Sequence, residues 1–175
     1  QIVYVKLAAV SGLNRIFMLG SKDETPPAKR VELAKIYIDQ LKDAKHLWWY
    51  QRALIEGLPI IGISTDPKVR DAFVVHNLAT ILVDKNRDYR VRAAASKSLA
   101  SLPLEPSMNI PALSYLMVDM GHQFALEYNK DPESVIWREC FFGLYLSYQP
   151  IDKVAKAKGY GLLTRWKGQT NVNSA

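Results

Sequence analysis

The chain has 175 residues, a hydrophobic fraction of 49%, a charged fraction of 23% and a formal net charge of +6. These values are close to globular averages and exclude a disordered, collagen-like or disulfide-scaffold protein. The single cysteine, Cys140, cannot form an internal disulfide, so the composition favours a cytoplasmic protein, although a removed export signal would leave no trace in it. We expect one domain over residues 1–167, followed by a polar tail over residues 168–175.

The N-terminal region is apolar but interrupted. The chain begins with Gln1 rather than Met, which suggests a piece of a longer protein. The apolar stretch from Ile2 to Leu19 is broken by four residues: Lys6, Gly12, Asn14 and Arg15. We therefore expect a packed first helix here and no membrane span.

Helical periodicity dominates the rest of the chain. Further helices are predicted from about Val31 to Leu41, from Leu47 to near Leu58, from Asp66 to Val83, from Tyr89 to Leu102, from Ile110 to Tyr128, from Asp131 to before Pro150, and from Ile151 to Lys158. The Asp-Pro pairs at Asp66 and Asp131 are typical helix starts, because Asp caps free amides and proline fits the first turn. The pattern predicts an all-α fold of seven to eight helices, arranged as stacked antiparallel hairpins.

An internal repeat supports this arrangement. The segments starting at Asp66 and at Asp88 both follow the pattern Asp-x-x-Val-Arg and continue with a small residue. Arg52, Arg92 and Arg138 stand early in predicted helices, at spacings of 40 and 46 residues. A spacing of about 40 residues is the period of two-helix repeats.

The stretch from Thr80 through Asp88 and Arg92 to Leu99 resembles the HEAT-repeat family, and the Leu99–Leu104 region is similar to planctomycete-type HEAT proteins of unknown function. The resemblance is good over residues 66–102 and loose over 28–65 and 103–148. It implies an α-α superhelix in which Asp88 and Arg92 are structural residues that bond along the stack.

Two groups of side chains are candidate contacts for a partner. Lys85, Arg87 and Arg90 form the densest basic cluster, on a predicted turn, and could bind anions or nucleic-acid phosphates. The alternative is a solvated cluster partly neutralised by Asp84 and Asp88. A basic and aromatic tail, from Lys153 to Lys167, has the composition that nucleic-acid binding requires, and a docked C-terminus is its alternative.

The adjacent tryptophans Trp48 and Trp49 form the second group. Neighbours on a helix face different directions, so we expect one in the core and the other as an exposed anchor for a protein partner.

No catalytic, cofactor or metal signature is found. The three histidines, His46, His76 and His122, have no converging ligands at helical spacing, and Cys140 falls on an apolar stripe. The first hypothesis is therefore a non-enzymatic interaction module that presents a curved helical-repeat surface to a protein partner. The alternatives are a nucleic-acid-binding HEAT-like protein and an enzyme built on the stack, which would need a concave pocket with convergent polar groups.

Overall fold

The computed structural model describes residues 2–21, 24–105, 108–131 and 133. Six α-helices occupy this part of the chain: α1 (Ile2–Ile16), α2 (Pro27–Leu41), α3 (Trp48–Ile61), α4 (Phe73–Val83), α5 (Tyr89–Ser101) and α6 (Ile110–Lys130). A π-helical segment, Phe17–Ser21, continues α1. The described residues contain no β-strand, so the all-α prediction is confirmed. Apart from Asp131 and Glu133, the helices predicted to begin at Asp131 and at Ile151, the basic and aromatic stretch from Lys153 to Lys167 and the tail at residues 168–175 lie outside the described residues.

The helices contact one another in a regular order. Successive helices pack in pairs, α2 with α3 and α4 with α5. Contacts between pairs follow two rows: α1, α3 and α5 form one, and α2, α4 and α6 form the other. Because α3 contacts α1, α2 and α5, it is buried on three sides and lies at the centre of the core.

Burial repeats with a period of 41 residues. The buried positions Ala34, Tyr37 and Leu41 of α2 recur as Val75, Leu78 and Leu82 of α4. The same positions recur in α6 one residue later, as Met117, Met120 and Phe124. In the other row, Gln51, Leu54, Leu58 and Ile61 recur as Arg92, Ala95, Leu99 and Leu102, which are all buried. The two rows therefore share one structural register.

This register corrects the arginine spacing that the sequence suggested. Arg92 is equivalent to the buried Gln51 and not to Arg52, because the period is 41 residues rather than 40. Arg52 lies on the surface, where its Nε donates to Glu56 at 2.9 Å. Of the two, only Arg92 occupies a core position.

Arg92 connects three helices. Its side chain is only 1% exposed. Its Nε donates to the carbonyl oxygen of Leu82 at 2.9 Å, and its Nη2 donates to Oε1 of Gln123 at 3.0 Å. The guanidinium also lies 5.3 Å from the ring centroid of Tyr89. One α5 side chain thus binds the last turn of α4 and the side of α6.

The segment before α4 differs from the prediction. Asp66 does not start a helix; α4 begins at Phe73. The Asp66 amide donates to the Asp71 carbonyl at 2.8 Å, and Arg70 has a φ of 52°, which interrupts a right-handed helix. The Asp66 carboxylate is buried and accepts hydrogen bonds from Lys35 Nζ at 2.6 Å and from the Lys68 amide at 3.0 Å. These bonds close a tight loop where a helical turn was expected.

Helix α1 is packed on one side only. Together with the segment that follows it, it forms a stretch, Ile2–Gly20, of 19 residues with a mean hydropathy of 1.5, which is long and apolar enough to cross a membrane by length and composition. Only 11% of that window is buried. Of the residues expected to interrupt it, Lys6 bonds to Gln40 and Asn14 bonds to Tyr37 and to the carbonyl of Ala53.

Replacing Arg92 by alanine is expected to lower the free energy of unfolding by about 3 kcal/mol. The substitution leaves the buried carbonyl of Leu82 and the half-buried amide oxygen of Gln123 without their charged donor. Arg52→Ala, which removes only a surface ion pair, is expected to cost about 0.5 kcal/mol or less. Urea unfolding of both variants measures the difference. Equal losses would contradict the 41-residue register.

Asp66 is expected to make stability depend on acid pH. The hydrogen bond from Lys35, followed by that from the Lys68 amide, holds the pKa of Asp66 below its ordinary value of 3.8. The stabilisation that the Asp66 carboxylate provides is therefore fully present above pH 3.8. It is lost as the pH falls through the lower pKa that Asp66 has in the folded protein. Asp66→Asn should be less stable than wild type at neutral pH, and the difference should vanish in acid.

Unfolding midpoints in urea, measured from neutral to acid pH, test this expectation. Asp39→Asn is the matched control, because Asp39 forms an exposed ion pair with Lys42 at 2.6 Å. A constant difference between Asp66→Asn and wild type across the pH range would show that the Asp66 carboxylate does not respond to protonation.

Candidate interaction surface

Two turns lie side by side, one before α3 and one before α5. In the first, the Asp43 carboxylate accepts the Lys45 amide at 3.0 Å. In the second, the Asp84 carboxylate accepts the Asn86 amide at the same distance. Since Asp43 and Asp84 are 41 residues apart, the two turns are repeats of one motif, an Asx-type turn that ends one helix and leads into the next.

Arg87 joins these turns and points into the protein. Its side chain is 9% exposed. Its Nη2 donates to the Leu41 carbonyl at 2.8 Å, its Nη1 donates to Oε1 of Gln51, and its Nε lies 3.4 Å from Asp84. All three guanidinium nitrogens of Arg87 therefore have partners within the fold.

Arg90 is also engaged, but at the surface. Its Nη2 lies 2.7 Å from Asp88 Oδ2, and its Nε lies 2.9 Å from Asp88 Oδ1. The hydrogen bond from the Arg90 side chain lowers the pKa of Asp88. The same guanidinium lies 3.8 Å from the ring centroid of Trp48, in cation–π geometry. The pair of turns is thus linked by a stacked arginine and tryptophan.

Lys85 differs from both arginines. It is exposed, and its side chain forms no ion pair or hydrogen bond with the described residues. The predicted basic cluster therefore consists of one inward arginine, one paired arginine and one unpaired lysine.

The two tryptophans have different neighbours. Trp49 stacks on Tyr4 of α1, with ring centroids 5.5 Å apart and an interplanar angle of 22°. Trp48 lies under Arg90 and follows Leu47, which is 49% exposed. Both tryptophan side chains are half-buried. Only Trp48 lies with the basic residues, in a patch that we call the turn surface: Leu47, Trp48, Lys85, Asp88 and Arg90.

Asp88 has a structural role at this surface. It is the N-cap of α5, and its Oδ1 accepts the Arg90 amide at 2.8 Å. Asp88 and Arg92 are the two residues expected to bond along the stack. Asp88 forms hydrogen bonds with Arg90, and Arg92 forms them with Leu82 and Gln123. Arg87 was not predicted to be a structural residue. The equivalent residue 41 positions earlier is His46, so the repeat contains no second arginine that would have indicated this role.

Two cavities lie elsewhere, along the row of α2, α4 and α6. One, of about 440 Å³, lies beside Lys35 and Asp66, which already pair with each other. The other, of about 380 Å³, is lined by apolar side chains and by five polar ones: Thr65, Arg70, His76, Glu105 and Asn109. The His76 Nδ1 is 3.8 Å from Asp71, and its side chain is 75% exposed. Over residues 2–21, 24–105 and 108–131, no three His, Cys, Asp or Glu side chains converge as metal ligands would.

The chain was compared with protein-family models, with curated proteins and with solved structures, and none of them matches.

The two functions of Asp88, cap and ion-pair partner, can be separated by substitution. Asp88→Ala is expected to lower the free energy of unfolding by about 1 kcal/mol, because α5 loses its N-cap. Asp88→Asn should retain most of that stability, since asparagine caps as well as aspartate. Urea unfolding of both variants distinguishes the roles. If Asp88→Asn were as unstable as Asp88→Ala, the ion pair with Arg90 would be the larger contribution.

Proposed function

We propose that this chain is a non-enzymatic helical-repeat interaction module that presents its turn surface to a protein partner. The proposal includes a HEAT-like architecture of stacked antiparallel hairpins. It is supported by the two rows of helix contacts and by the 41-residue register of buried positions. In such stacks each hairpin contacts only its neighbours, which leaves the connecting turns free for binding.

The observation that carries the proposal is the Trp48–Arg90 pair. Tryptophan and arginine are the residue types enriched at the energetic centres of protein interfaces. Here the Arg90 guanidinium is held by Asp88 on one side and by the Trp48 ring on the other. Both side chains are therefore ordered before a partner arrives, which reduces the entropy lost on binding. The exposed Leu47 beside them supplies apolar area.

Charge at the turn surface favours a protein over a nucleic acid. Neutralisation of several phosphates requires several unpaired cations. Arg87 is directed into the fold and Arg90 is paired with Asp88, which leaves Lys85. One unpaired lysine beside an apolar patch fits a peptide segment with an apolar side chain and a carboxylate.

Partner capture tests the proposal. The full chain, immobilised, is incubated with an extract of its source cells, and captured proteins are quantified by mass spectrometry. Leu47→Asp places a charge on the turn surface at an exposed position, so it should abolish capture without unfolding the chain. The matched control is Val118→Asp, at a 58% exposed position on α6, and it should capture the partner as wild type does. Equal capture by wild type and Leu47→Asp would exclude this surface.

Nucleic-acid binding remains the alternative, because the whole chain has a net charge of +6 and Lys85 is exposed. Fluorescence anisotropy with labelled single- and double-stranded oligonucleotides distinguishes it. Phosphate contacts would give an affinity that falls steeply as salt rises and that weakens in Lys85→Glu. We expect no salt-dependent binding of this kind. Its observation would replace the protein-binding proposal.

A further inference from the structure

The outer face of α1 is apolar and exposed. The large side chains of α1 and of the segment that follows it are between 37% and 80% exposed: Ile2, Val5, Leu13, Ile16, Met18 and Leu19. Tyr4 is exposed as well, but it stacks on Trp49 of α3. Between them lie the small exposed residues Ala8, Ala9 and Gly12, and a Cβ placed on Gly12 would have no heavy atom within 4 Å. Arg15 is the one exposed charge in the stretch Ile2–Gly20. An apolar area of this extent on a soluble domain usually marks an interaction site.

The inner face of α1 uses the polar groups of the helix. Lys6 Nζ donates to Gln40 at 3.2 Å. Asn14 donates to the Ala53 carbonyl and accepts from the Tyr37 hydroxyl, both at 3.0 Å. The hydrogen-bonding side chains of α1 thus face the protein beside Val3, Leu7 and Val10, and the exposed side of the helix is apolar as well. A helix with apolar surface on both sides is typical of a position between two layers.

The 41-residue register identifies the kind of element that such a face accepts. Helix α5 packs on α3, and its residues Val91, Ala94 and Ser98 are buried. The Ser98 hydroxyl donates to the carbonyl of Ile55 in α3 at 3.0 Å. The equivalent positions in α3 are Tyr50, Ala53 and Gly57, and they lie against α1: the Ala53 carbonyl accepts Asn14, and a Cβ on Gly57 would collide with the Asn14 side chain.

Another step of 41 residues leads to α1 itself. The equivalents there are Ala9, Gly12 and Ile16, and all three are exposed. By this register the outer face of α1 is equivalent to the face of α3 that packs on α1 and to the face of α5 that packs on α3, so it is a helix-binding face that has no helix on it in the described residues.

We propose that a second copy of this chain covers this face, with the two α1 helices antiparallel about a two-fold axis that passes between Ala9 and Gly12. In that arrangement the small residues meet at the centre, where they permit close helix approach. Val5 then opposes Ile16 of the partner subunit, and Ile2 opposes Leu19 of the partner subunit. In a two-fold interface the same patch of each subunit contacts its copy. Here the small residues at the centre of one α1 oppose small residues of the other, and the large residues named above oppose large ones.

The available area is sufficient for a dimer. Without Tyr4, six large side chains that each bury roughly 100 Å² give about 600 Å² per partner, at the lower end of the ~1,200–2,000 Å² that specific interfaces bury in total. A lipid interface fits less well, because helices that lie there carry a strongly charged polar face beside the apolar one. In the stretch Ile2–Gly20 the exposed charge is limited to Arg15.

Sedimentation velocity of the full chain over a concentration series tests the proposal. Wild type should form a dimer. Ala9→Glu and Gly12→Glu should each raise the dimer Kd by roughly 100-fold or more, because each places two charges at the centre of an apolar interface. Val118→Glu, on the surface of α6, should dimerise as wild type does. Far-UV circular dichroism confirms that all variants keep their helix content.

Three outcomes would overturn the proposal: a wild-type monomer at all concentrations, a dimer that Ala9→Glu leaves intact, or a monomer that floats with phosphatidylcholine and phosphatidylserine vesicles. The last would assign the face to lipid. Leu47→Asp should dimerise normally, since Leu47 is not part of the outer face of α1. Failure of the partner proposal and failure of the dimer proposal are therefore distinguishable.

Discussion

The insertion of arginine side chains against the ends of helices is the interaction on which the fold depends. The last carbonyl groups of a helix have no partner within it and carry partial negative charge. Arg87 donates to the carbonyl of Leu41, at the end of α2, and Arg92 donates to the carbonyl of Leu82, at the end of α4. Leu41 and Leu82 are equivalent in the 41-residue register. In successive repeats, an arginine thus donates to the equivalent carbonyl group, which has no partner within its own helix.

These contacts also determine which charges remain for a partner. A guanidinium that already donates to a carbonyl and to a glutamine inside the protein cannot move outward without leaving those acceptors buried and unsatisfied, which costs several kcal/mol. Arg87 is held in this way by Leu41 and the buried Gln51, and Arg92 by the buried Leu82 together with the half-buried Gln123. The basic character of this region is therefore largely internal. Only the paired Arg90 and the unpaired Lys85 reach the surface.

The sequence predicted which segments of the described region are helical more reliably than where each helix begins. The boundaries of α5 and α6 were predicted to within two residues from apolar periodicity, and the structure shows a capping aspartate at the start of α5 and a capping asparagine at the start of α6. Asp66-Pro67 has the same capping chemistry as other helix starts, but the outcome there depends on Lys35, which lies 31 residues earlier and binds the carboxylate. No local pattern contains that contact. The predicted repeat was one residue out of register, because it matched Arg92 with Arg52 instead of with the neighbouring Gln51. The sequence does not distinguish a buried glutamine from an exposed one.

The candidate surface shows the same limit. A tryptophan pair and three basic residues in the sequence indicated where to look, but their roles depend on distances across the repeat. Trp49 meets Tyr4, 45 positions earlier, and Trp48 meets Arg90, 42 positions later. The first contact fastens α1 to α3, and the second orders the turn surface. Because the turn surface and the outer face of α1 share no residue, a partner could occupy one while a second copy occupies the other.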